Sequence, residues 1–259
     1  MCATCGCGTD EVRVTTVGEP GTTHKHTHPH AHTDGDGDAH VHVEPDPGLR
    51  THTLELEVAV LAKNDELAAQ NRSSLEQRGI TALNVMSSPG AGKTTLLERT
   101  IGMSDRPVSV IEGDQETVFD AERIRKAGAR AVQVNTGAGC HLDATMVARA
   151  LDELQPEDGS IVFIENVGNL VCPALFDLGE KRKVVVISVT EGDDKPLKYP
   201  HMFSAADLVV LNKTDLLPYV DFDPDRLTAD ARRLQPGITV LPVSAKTGEN
   251  LEAWFDWLW

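Results

Sequence analysis

The sequence has no excess of positive charge and no long apolar run. Its 259 residues include 24 Lys and Arg against 40 Asp and Glu, which gives a formal net charge of -16 at pH 7. This charge argues against nonspecific binding to nucleic acid or to an anionic membrane. No stretch approaches the roughly 18 apolar residues of a membrane span, and the basic-then-apolar order of a signal peptide is missing from the amino terminus. We therefore predict a cytoplasmic protein with no nucleic-acid or membrane partner.

Cysteine is scarce, and its placement is uneven. There are five cysteines, three of them in the opening MCATCGCGTD, where no core can shelter them. In the reducing cytoplasm thiols stay reduced, so these residues indicate metal or redox chemistry before structural disulfides.

Composition divides the chain into regions. Residues 1–52 form a low-complexity stretch that holds eight of the ten histidines, and we predict a disordered metal-binding tail there. Residues 53–79 have apolar residues at helical spacing and predict a helix.

Residues 80–259 alternate strands, several of them β-branched runs, with helices. Strands are predicted near 80–86, 108–112, 132–135, 161–164, 184–189, 208–211 and 238–243. Helices are predicted near 93–103, 118–127, 143–153, 225–235 and 249–257. We predict an α/β P-loop NTPase over residues 53–259, with a mainly parallel seven-stranded sheet flanked by helices.

The segment ITALNVMSSPGAGKTT joins a predicted strand, a glycine-rich turn and a predicted helix. It resembles a Walker A loop, although Ser87 stands where that pattern has its first glycine. Such a loop turns backbone N–H groups toward phosphates and brings a lysine to the β- and γ-phosphates and a hydroxyl to Mg²⁺. The predicted nucleotide-binding residues here are Ser88, Pro89, Gly90, Ala91, Gly92, Lys93, Thr94 and Thr95. An ordinary glycine-rich turn is the alternative.

Two later strand ends carry residues that suit guanine, in the sequences NKTD and SAK. Asp215 can accept hydrogen bonds from guanine N1–H and the exocyclic amine, whereas adenine would leave a buried carboxylate unpaired. Asn212 would hold loop and base, the Lys213 stem would pack on the ring, and the Ala245 N–H would meet guanine O6. We therefore predict GTP and GDP as ligands of Asn212, Lys213, Asp215, Ser244, Ala245 and Lys246. A solvated loop that carries Asn212 and Asp215 by chance is the alternative.

Carboxylates follow two further predicted strands. Asp114 ends SVIEGD, Glu165 ends IVFIE, and Asp120 comes six residues after Asp114. Carboxylates at this edge of a sheet can hold Mg²⁺ through water or orient an attacking water, although acids are common at strand ends. We predict that Lys93 and these three carboxylates are catalytic, and that the carboxylates hold Mg²⁺ together with the Thr94 hydroxyl.

The remaining two cysteines also follow strands. Cys140 and His141 lie in NTGAGCHLD, and Cys172 lies in ENVGNLVCP. Two thiolates and an imidazole suit a borderline-soft ion such as Zn²⁺ or Ni²⁺, with a fourth ligand from water or another subunit. The alternative is two buried or incidental cysteines beside a surface histidine.

Motifs along essentially the whole chain resemble the HypB family, GTPases that help insert nickel into [NiFe] hydrogenase. They are the CxxCGC run, the histidine tract, VLAKNDELAAQNR, SSPGAGKTTLL, IEGD, FDAERI, NTGAGCHLD, ENVGNLVCP, EGDDKPLKYPHMF, NKTDLLPYV and SAKTGENL. The related urease GTPases share the nucleotide core but are not expected to carry CHLD and VGNLVCP.

The resemblance implies a nucleotide-dependent homodimer of the class that includes signal-recognition and metallochaperone GTPases. It implies a metal site at Cys140, His141 and Cys172 near the dimer interface, and it places Asp114, Asp120 and Glu165 near Mg²⁺. A serine at position 87 is normal for the family. The implied partners are a HypA-like nickel chaperone and a [NiFe] hydrogenase large-subunit precursor.

The tail offers two kinds of metal ligand. The thiolates of Cys2, Cys5 and Cys7, with the Cys2 amine if Met1 is removed, could wrap a square-planar Ni²⁺. A redox pair of Cys2 with Cys5 is the alternative. The predicted weak storage sites are His24, His26, His28, His30, His32, His40 and His42, which could also belong to a solvated linker.

Taken together, these features predict a GTP-hydrolysing nickel metallochaperone that delivers Ni²⁺ to a hydrogenase precursor, with nickel storage in the tail. One alternative is a nickel or zinc storage protein whose GTPase fold serves assembly. Another is a GTPase that serves a different nickel enzyme such as urease.

Overall fold

A computed structural model describes residues 30–33, 39–42, 47–114, 119–136 and 141–259. The chain divides into two compact units, Met1–Leu61 and Ala62–Trp259, which we describe separately. The domain boundary predicted between residues 52 and 53 stays a prediction.

The amino-terminal unit contains a short antiparallel pair of strands, β1 (His30–Thr33) and β2 (Ala39–His42). The sequence had predicted no strand in the tail. The missed signal is the strict alternation in HAHT and AHVH, since a period of two favours a strand. Helix α1 (Pro47–Gln77) follows and continues into the second unit, so it begins six residues before the predicted start at residue 53. A proline suits the first turn of a helix because the missing N–H there needs no partner.

The larger unit is built on a sheet of seven parallel strands in the order β5-β4-β6-β3-β7-β8-β9. The strands are β3 (Thr81–Ser87), β4 (Val108–Asp114), β5 (Arg130–Asn135), β6 (Ile161–Glu165), β7 (Arg182–Ser188), β8 (Leu208–Asn212) and β9 (Thr239–Pro242). The predicted fold class is confirmed, and the sheet is entirely parallel rather than mainly so.

Helices flank the sheet. They are α2 (Lys93–Met103), α3 (Phe119–Ala127), α4 (Ala144–Leu154), α5 (Lys195–Lys198), α6 (Pro200–Ala205), α7 (Pro224–Leu234) and α8 (Leu251–Leu258). Two short 3₁₀ helices, Cys172–Leu175 and Thr214–Tyr219, join them. The sequence does not predict α5, α6 or the two 3₁₀ helices, because segments of about one turn carry no measurable periodicity. Among the described residues, no helix combines the length and the apolar character needed to cross a bilayer.

Apolar side chains pack on both faces of the sheet. On central strand β3, Leu83 and Val85 join a cluster with α2, α3 and α8, whereas Ala82 and Met86 face the opposite layer. Successive strand residues point to opposite faces, so a strand covered on both sides reads as a continuous apolar run. This burial fixes the positions of the strands. The loops that follow the strands therefore start from fixed points at the carboxyl edge of the sheet.

The carboxyl-terminal half of α1 is attached to the larger unit by buried amides. Asn71 Nδ2 donates to the carbonyls of Ala144 and Leu178, at 2.9 and 3.1 Å. Asn64 Nδ2 donates to the Asp177 carbonyl at 2.8 Å, and Asn64 Oδ1 accepts the Ala144 N–H at 2.9 Å. The helix thereby joins the start of α4 to the loop before β7.

Candidate nucleotide and metal sites

The glycine-rich loop leaves the centre of the sheet. Strand β3 ends at Ser87 and α2 begins at Lys93, and between them Gly90 and Gly92 have φ values of 76° and 98°. These left-handed conformations cost little only for glycine. A Cβ on Gly92 would also overlap the side-chain amide of Asn212. Both constraints hold the loop backbone in a turn ahead of the α2 amino terminus, where a phosphate would bind.

Lys93 and Thr94 point into the protein at the start of α2. Lys93 Nζ donates to Ser87 Oγ at 2.7 Å, and Thr94 Oγ1 donates to Glu165 Oε1 at 3.0 Å. Strands β3 and β6 are adjacent, so the residues that follow them meet at one edge of the sheet. The structure therefore brings together two of the predicted magnesium ligands, Thr94 and Glu165.

Glu165 is a buried carboxylate that suits a cation. Its Oε2 atom has no hydrogen-bond partner among the residues that the structure describes. Burial raises the pKa of Glu165, and the nearby Lys93 ammonium opposes that shift. A divalent cation would stabilise the ionised form and use the available oxygen. Glu165 and Thr94 thus fit Mg²⁺.

A cavity of about 540 Å³ opens at this edge of the sheet. Its lining combines loop backbone with polar side chains from β4, α3 and β6. The lining residues are Pro89, Gly90, Ala91, Gly92, Lys93, Thr94, Thr95, Glu112, Gly113, Asp120, Arg123, Glu165, Asn166, Val167, Gly168 and Lys213. Asp120 therefore lines the same cavity as Thr94 and Glu165. Asp114 ends β4, and its side chain lies outside the described part of the chain.

Asn212 connects three loops. Its Nδ2 donates to the Ala91 carbonyl at 2.9 Å, and its Oδ1 accepts the N–H groups of Lys213 and Ala245, at 2.8 and 3.0 Å. The Ala245 N–H was predicted for guanine O6, but in this structure it donates to Asn212. The difference arises because the buried Asn212 side chain bridges the two loops that would hold the base.

The other predicted guanine contacts lie beside Asn212. Asp215 Oδ1 accepts a hydrogen bond from Ser244 Oγ at 2.6 Å, which joins the NKTD and SAK segments. Lys213 Nζ donates to the Gly90 carbonyl at 2.7 Å, so its stem crosses from the NKTD segment to the glycine-rich loop. The Lys246 carbonyl accepts from the Arg99 guanidinium. These contacts bring the predicted phosphate and guanine residues together.

Three residues that were not predicted from the sequence support this region. Arg123 lines the 540 Å³ cavity from α3, and we call this cavity the phosphate cavity because the glycine-rich loop forms part of its wall. Glu191 accepts the Ser88 hydroxyl and the Ser188 N–H, and Asn166 bonds to Asn84 within the sheet. Arg123 and Asn166 lie three residues and one residue after the predicted site residues Asp120 and Glu165, whereas Glu191 lies three residues after the end of strand β7.

The candidate nickel or zinc site is described only in part. His141 is half-buried and stacks on Phe176 with 3.9 Å between ring centroids, and Phe176 directly follows the 3₁₀ helix that starts at the buried Cys172. Burial lowers the pKa of His141, opposed by Asp143, so the imidazole is neutral and able to bind a metal at pH 7. Cys140 lies outside the described residues. Within the described ranges, no three His, Cys, Asp or Glu side chains converge as a metal cluster.

Asn166 links this region to the nucleotide cavity. It directly follows Glu165, and its Oδ1 accepts the N–H groups of Leu142 and Val167, at 3.3 and 3.0 Å. Leu142 in turn follows His141. A change at the end of β6 can therefore reach the His141 segment through one buried hydrogen bond, from the Leu142 N–H to Asn166 Oδ1.

The tail sites divide between described and undescribed residues. Cys2, Cys5, Cys7, His24, His26 and His28 lie outside the described residues. In the paired strands, His30 is opposite His42 and His32 is opposite His40. Directly opposite residues share a face of the ribbon, as do residues two apart on one strand. The register therefore places four of the predicted storage histidines on one face.

Comparison with known proteins identifies the family. The model of the CobW/HypB/UreG nucleotide-binding domain matches residues 81–242. A hydrogenase maturation factor HypB from Rhizobium leguminosarum bv. viciae is 61% identical over 207 residues, which are 79% of this chain and 69% of that protein. The chain belongs to the HypB family. A HypB from Cupriavidus necator is 44% identical in an alignment over all of this chain and 88% of that protein.

HypB crystal structures have the same fold. HypB from Helicobacter pylori in complex with nickel superposes with a TM-score of 0.72 at 42% identity, over 76% of this chain and 93% of that one. The parallel sheet and glycine-rich loop described above are therefore the HypB nucleotide-binding domain.

Proposed function

We propose that the chain is a GTP-hydrolysing nickel metallochaperone for [NiFe] hydrogenase maturation. The observation that carries the proposal is Asn212, which joins the glycine-rich loop to the NKTD and SAK segments and so combines a phosphate cradle with guanine-specific groups. Membership of the HypB family supports the hydrogenase role. The proposed setting is the cytoplasm, with a HypA-like nickel chaperone and a hydrogenase large-subunit precursor as partners.

The proposed reaction is transfer of the GTP γ-phosphoryl group to water. The loop N–H groups and Lys93 would bind the β- and γ-phosphates, while Asp215 would accept hydrogen bonds from the guanine ring. Bound Mg²⁺ would offset the charge that develops on the phosphate oxygens. Thr94 and Glu165 would hold that ion, and Asp114 and Asp120 would orient its water ligands or the attacking water.

Nickel is the proposed cargo, and a homodimer is the proposed active form. Cys140, His141 and Cys172 would hold Ni²⁺ or Zn²⁺, with Cys2, Cys5 and Cys7 as a separate nickel site in the tail. The hydrogen bond from the Leu142 N–H to Asn166 Oδ1, which joins the Glu165 and His141 segments, supports coupling of nucleotide state to metal affinity. The nickel complex of the Helicobacter pylori relative also supports binding of this metal.

Nucleotide specificity tests the first half of the proposal. GTP turnover should exceed ATP turnover, and Asp215→Asn should shift the preference from GTP toward XTP, because xanthine presents a carbonyl where guanine has its amine. Asp225→Asn, an acidic residue in the first turn of α7, is the matched control and should leave the preference unchanged. Equal kcat/KM for GTP and ATP would overturn the assignment.

Metal binding tests the second half. Nickel affinity should differ between the GTP-analogue and GDP forms, and serine at Cys140 and Cys172 should remove that difference. Equal affinities in the two wild-type forms would contradict coupling.

Nickel storage is a second candidate function, favoured by the four histidines on one face of the β1–β2 ribbon. Lys93→Ala separates the two functions, since storage should survive it whereas hydrogenase maturation should fail. Deletion of residues 24–52 should sharply lower the nickel bound per chain. Unchanged stoichiometry would exclude storage in this tract.

A further inference from the structure

Arg123 is a guanidinium that the reaction proposed above does not use. It lies on α3, three residues after Asp120, and lines the phosphate cavity. Lys93 is the proposed phosphate ligand and Lys213 spans to the loop backbone, so Arg123 is a third cationic side chain at the cavity wall.

The guanidinium contacts two residues predicted to bind the nucleotide complex. Arg123 Nη1 lies 3.1 Å from Asp120 Oδ1, and Nη2 donates to Thr95 Oγ1 at 3.2 Å. Asp120 belongs to the proposed magnesium carboxylates, and Thr95 belongs to the glycine-rich loop and the first turn of α2. One side chain therefore orients a carboxylate from α3 and a hydroxyl from α2.

A second ion pair fixes the guanidinium. Arg123 Nε and Nη2 donate to Glu98 Oε1 and Oε2, at 3.0 and 2.6 Å, in a two-point fork. Glu98 lies one turn beyond Thr95 on α2 and is not among the cavity-lining residues. A fork of this kind restricts rotation of the planar group and so fixes the direction of its other donors.

We infer that Arg123 is a positioning residue of the phosphate site, which aims Asp120 and Thr95 at the triphosphate and its Mg²⁺ through two donors fixed by Glu98. This inference rests on the proposed GTPase function. Its physical basis is that a misplacement of about 1 Å in a catalytic group can lower a rate about 100-fold.

The test compares Arg123→Ala with Arg123→Lys, and with Arg125→Ala as the matched control from the same helix. GTP turnover, its Mg²⁺ dependence and the affinity for a fluorescent GDP analogue with and without Mg²⁺ are measured on the full chain. We expect Arg123→Ala to lower kcat about 100-fold and to reduce the gain in nucleotide affinity that Mg²⁺ provides. Binding without Mg²⁺ and all properties of Arg125→Ala should stay within about three-fold of wild type.

Arg123→Lys keeps the charge but loses the fork, so it should recover part of the Mg²⁺ effect and little of kcat. It also supplies the readout if the alanine variant fails to fold. Glu98→Gln should lower kcat less than Arg123→Ala does, because it weakens the ion pair that fixes the guanidinium but leaves the Asp120 and Thr95 contacts.

Two results would overturn the inference. One is an Arg123→Ala protein with wild-type kcat and Mg²⁺ dependence, and the other is a Glu98→Gln protein as defective as Arg123→Ala. Absence of GTP turnover in the wild-type chain would instead contradict the proposed function, and the nucleotide-affinity measurements would still test Arg123.

Discussion

Replacing Glu165 with glutamine separates the cost of burying a carboxylate from its value as a metal ligand. The residue is only 5% exposed, its Oε1 accepts the Thr94 hydroxyl at 3.0 Å, and its Oε2 has no hydrogen-bond partner within the described part of the chain. Glutamine keeps the shape and the acceptor for Thr94. In the absence of nucleotide and metal, it should therefore stabilise the fold at alkaline pH.

The sign follows from the raised pKa of Glu165. Burial places the folded-state pKa above the ordinary value of 4.5, against the opposing effect of Lys93. The folded state thus binds the proton more tightly, so its advantage is full below that ordinary value and is lost as the pH rises through the folded-state pKa. The Glu165 carboxyl therefore makes the fold less stable as the pH rises, and the glutamine variant, which does not titrate, removes that loss.

A buried polar group without a hydrogen-bond partner costs about 1–3 kcal/mol. The N–H₂ of glutamine would take the place of Oε2 and would also lack a partner, so part of this cost would remain in the variant. A net gain of about 1 kcal/mol corresponds to a rise in Tm of about 2–4 °C for a unit of this size. Calorimetry of the chain treated with EDTA should show this rise at pH 8 and a smaller one at pH 5. Asp158→Asn, whose side chain is 75% exposed, is the control and should change Tm by less than about 1 °C.

Addition of Mg²⁺ and GDP should reverse the order, because the wild-type carboxylate can bind the ion and ligand binding stabilises the folded state. A glutamine variant that melts lower at pH 8 without ligand would refute the reasoning, as would a rise of the same size at both pH values.

Three further predictions concern Gly92, Asn71 and His141. Gly92→Ala should abolish binding of fluorescent GDP and lower the free energy of unfolding by about 1–2 kcal/mol, because φ is 98° and the Cβ would overlap Asn212. The control is Gly102→Ala, which has open space around its Cβ and should bind GDP normally. Equal binding by the two variants would contradict this account. Asn71→Ala should lower the free energy of unfolding by about 2–4 kcal/mol in urea titrations, because two buried carbonyls lose their donor; a change below about 0.5 kcal/mol would show that water replaces it. Burial lowers the pKa of His141 from its ordinary value of 6.5. The contribution of the neutral imidazole to stability is therefore full above pH 6.5 and is lost as the pH falls through the folded-state pKa. His141→Gln should flatten the dependence of Tm on pH in that range, and an unchanged profile would contradict the lowered pKa.

Sequence predicted best where function depends on neighbours along the chain. The glycine-rich loop and α2 are one continuous segment, so Lys93 and Thr94 could be assigned from spacing. The meeting of Thr94 with Glu165 was also predictable, because parallel strands bring their carboxyl ends to one edge. That rule requires only that the strands are parallel and near each other in the sheet, so the exact strand order is not needed.

Side-chain pairing across elements was not predictable in the same way. Arg123 depends on how α3 packs against α2, since Glu98 and Thr95 lie 25 and 28 residues away along the chain. The Ala245 N–H was predicted for guanine because backbone groups at strand ends often bind ligands, but in this structure it donates to Asn212 Oδ1. The β1–β2 pair was missed because histidine has no strong preference for strands, and α5 and α6 because each is under two turns.

The position of Asn212 has a thermodynamic consequence. Its amide is bonded at once to the loop that would surround phosphate and to the segment that would surround guanine. A ligand that orders either half therefore lowers the entropy that the other half must lose on binding. Guanosine and pyrophosphate, added as separate molecules, should raise each other's affinity by the same factor, because linkage between two sites is reciprocal.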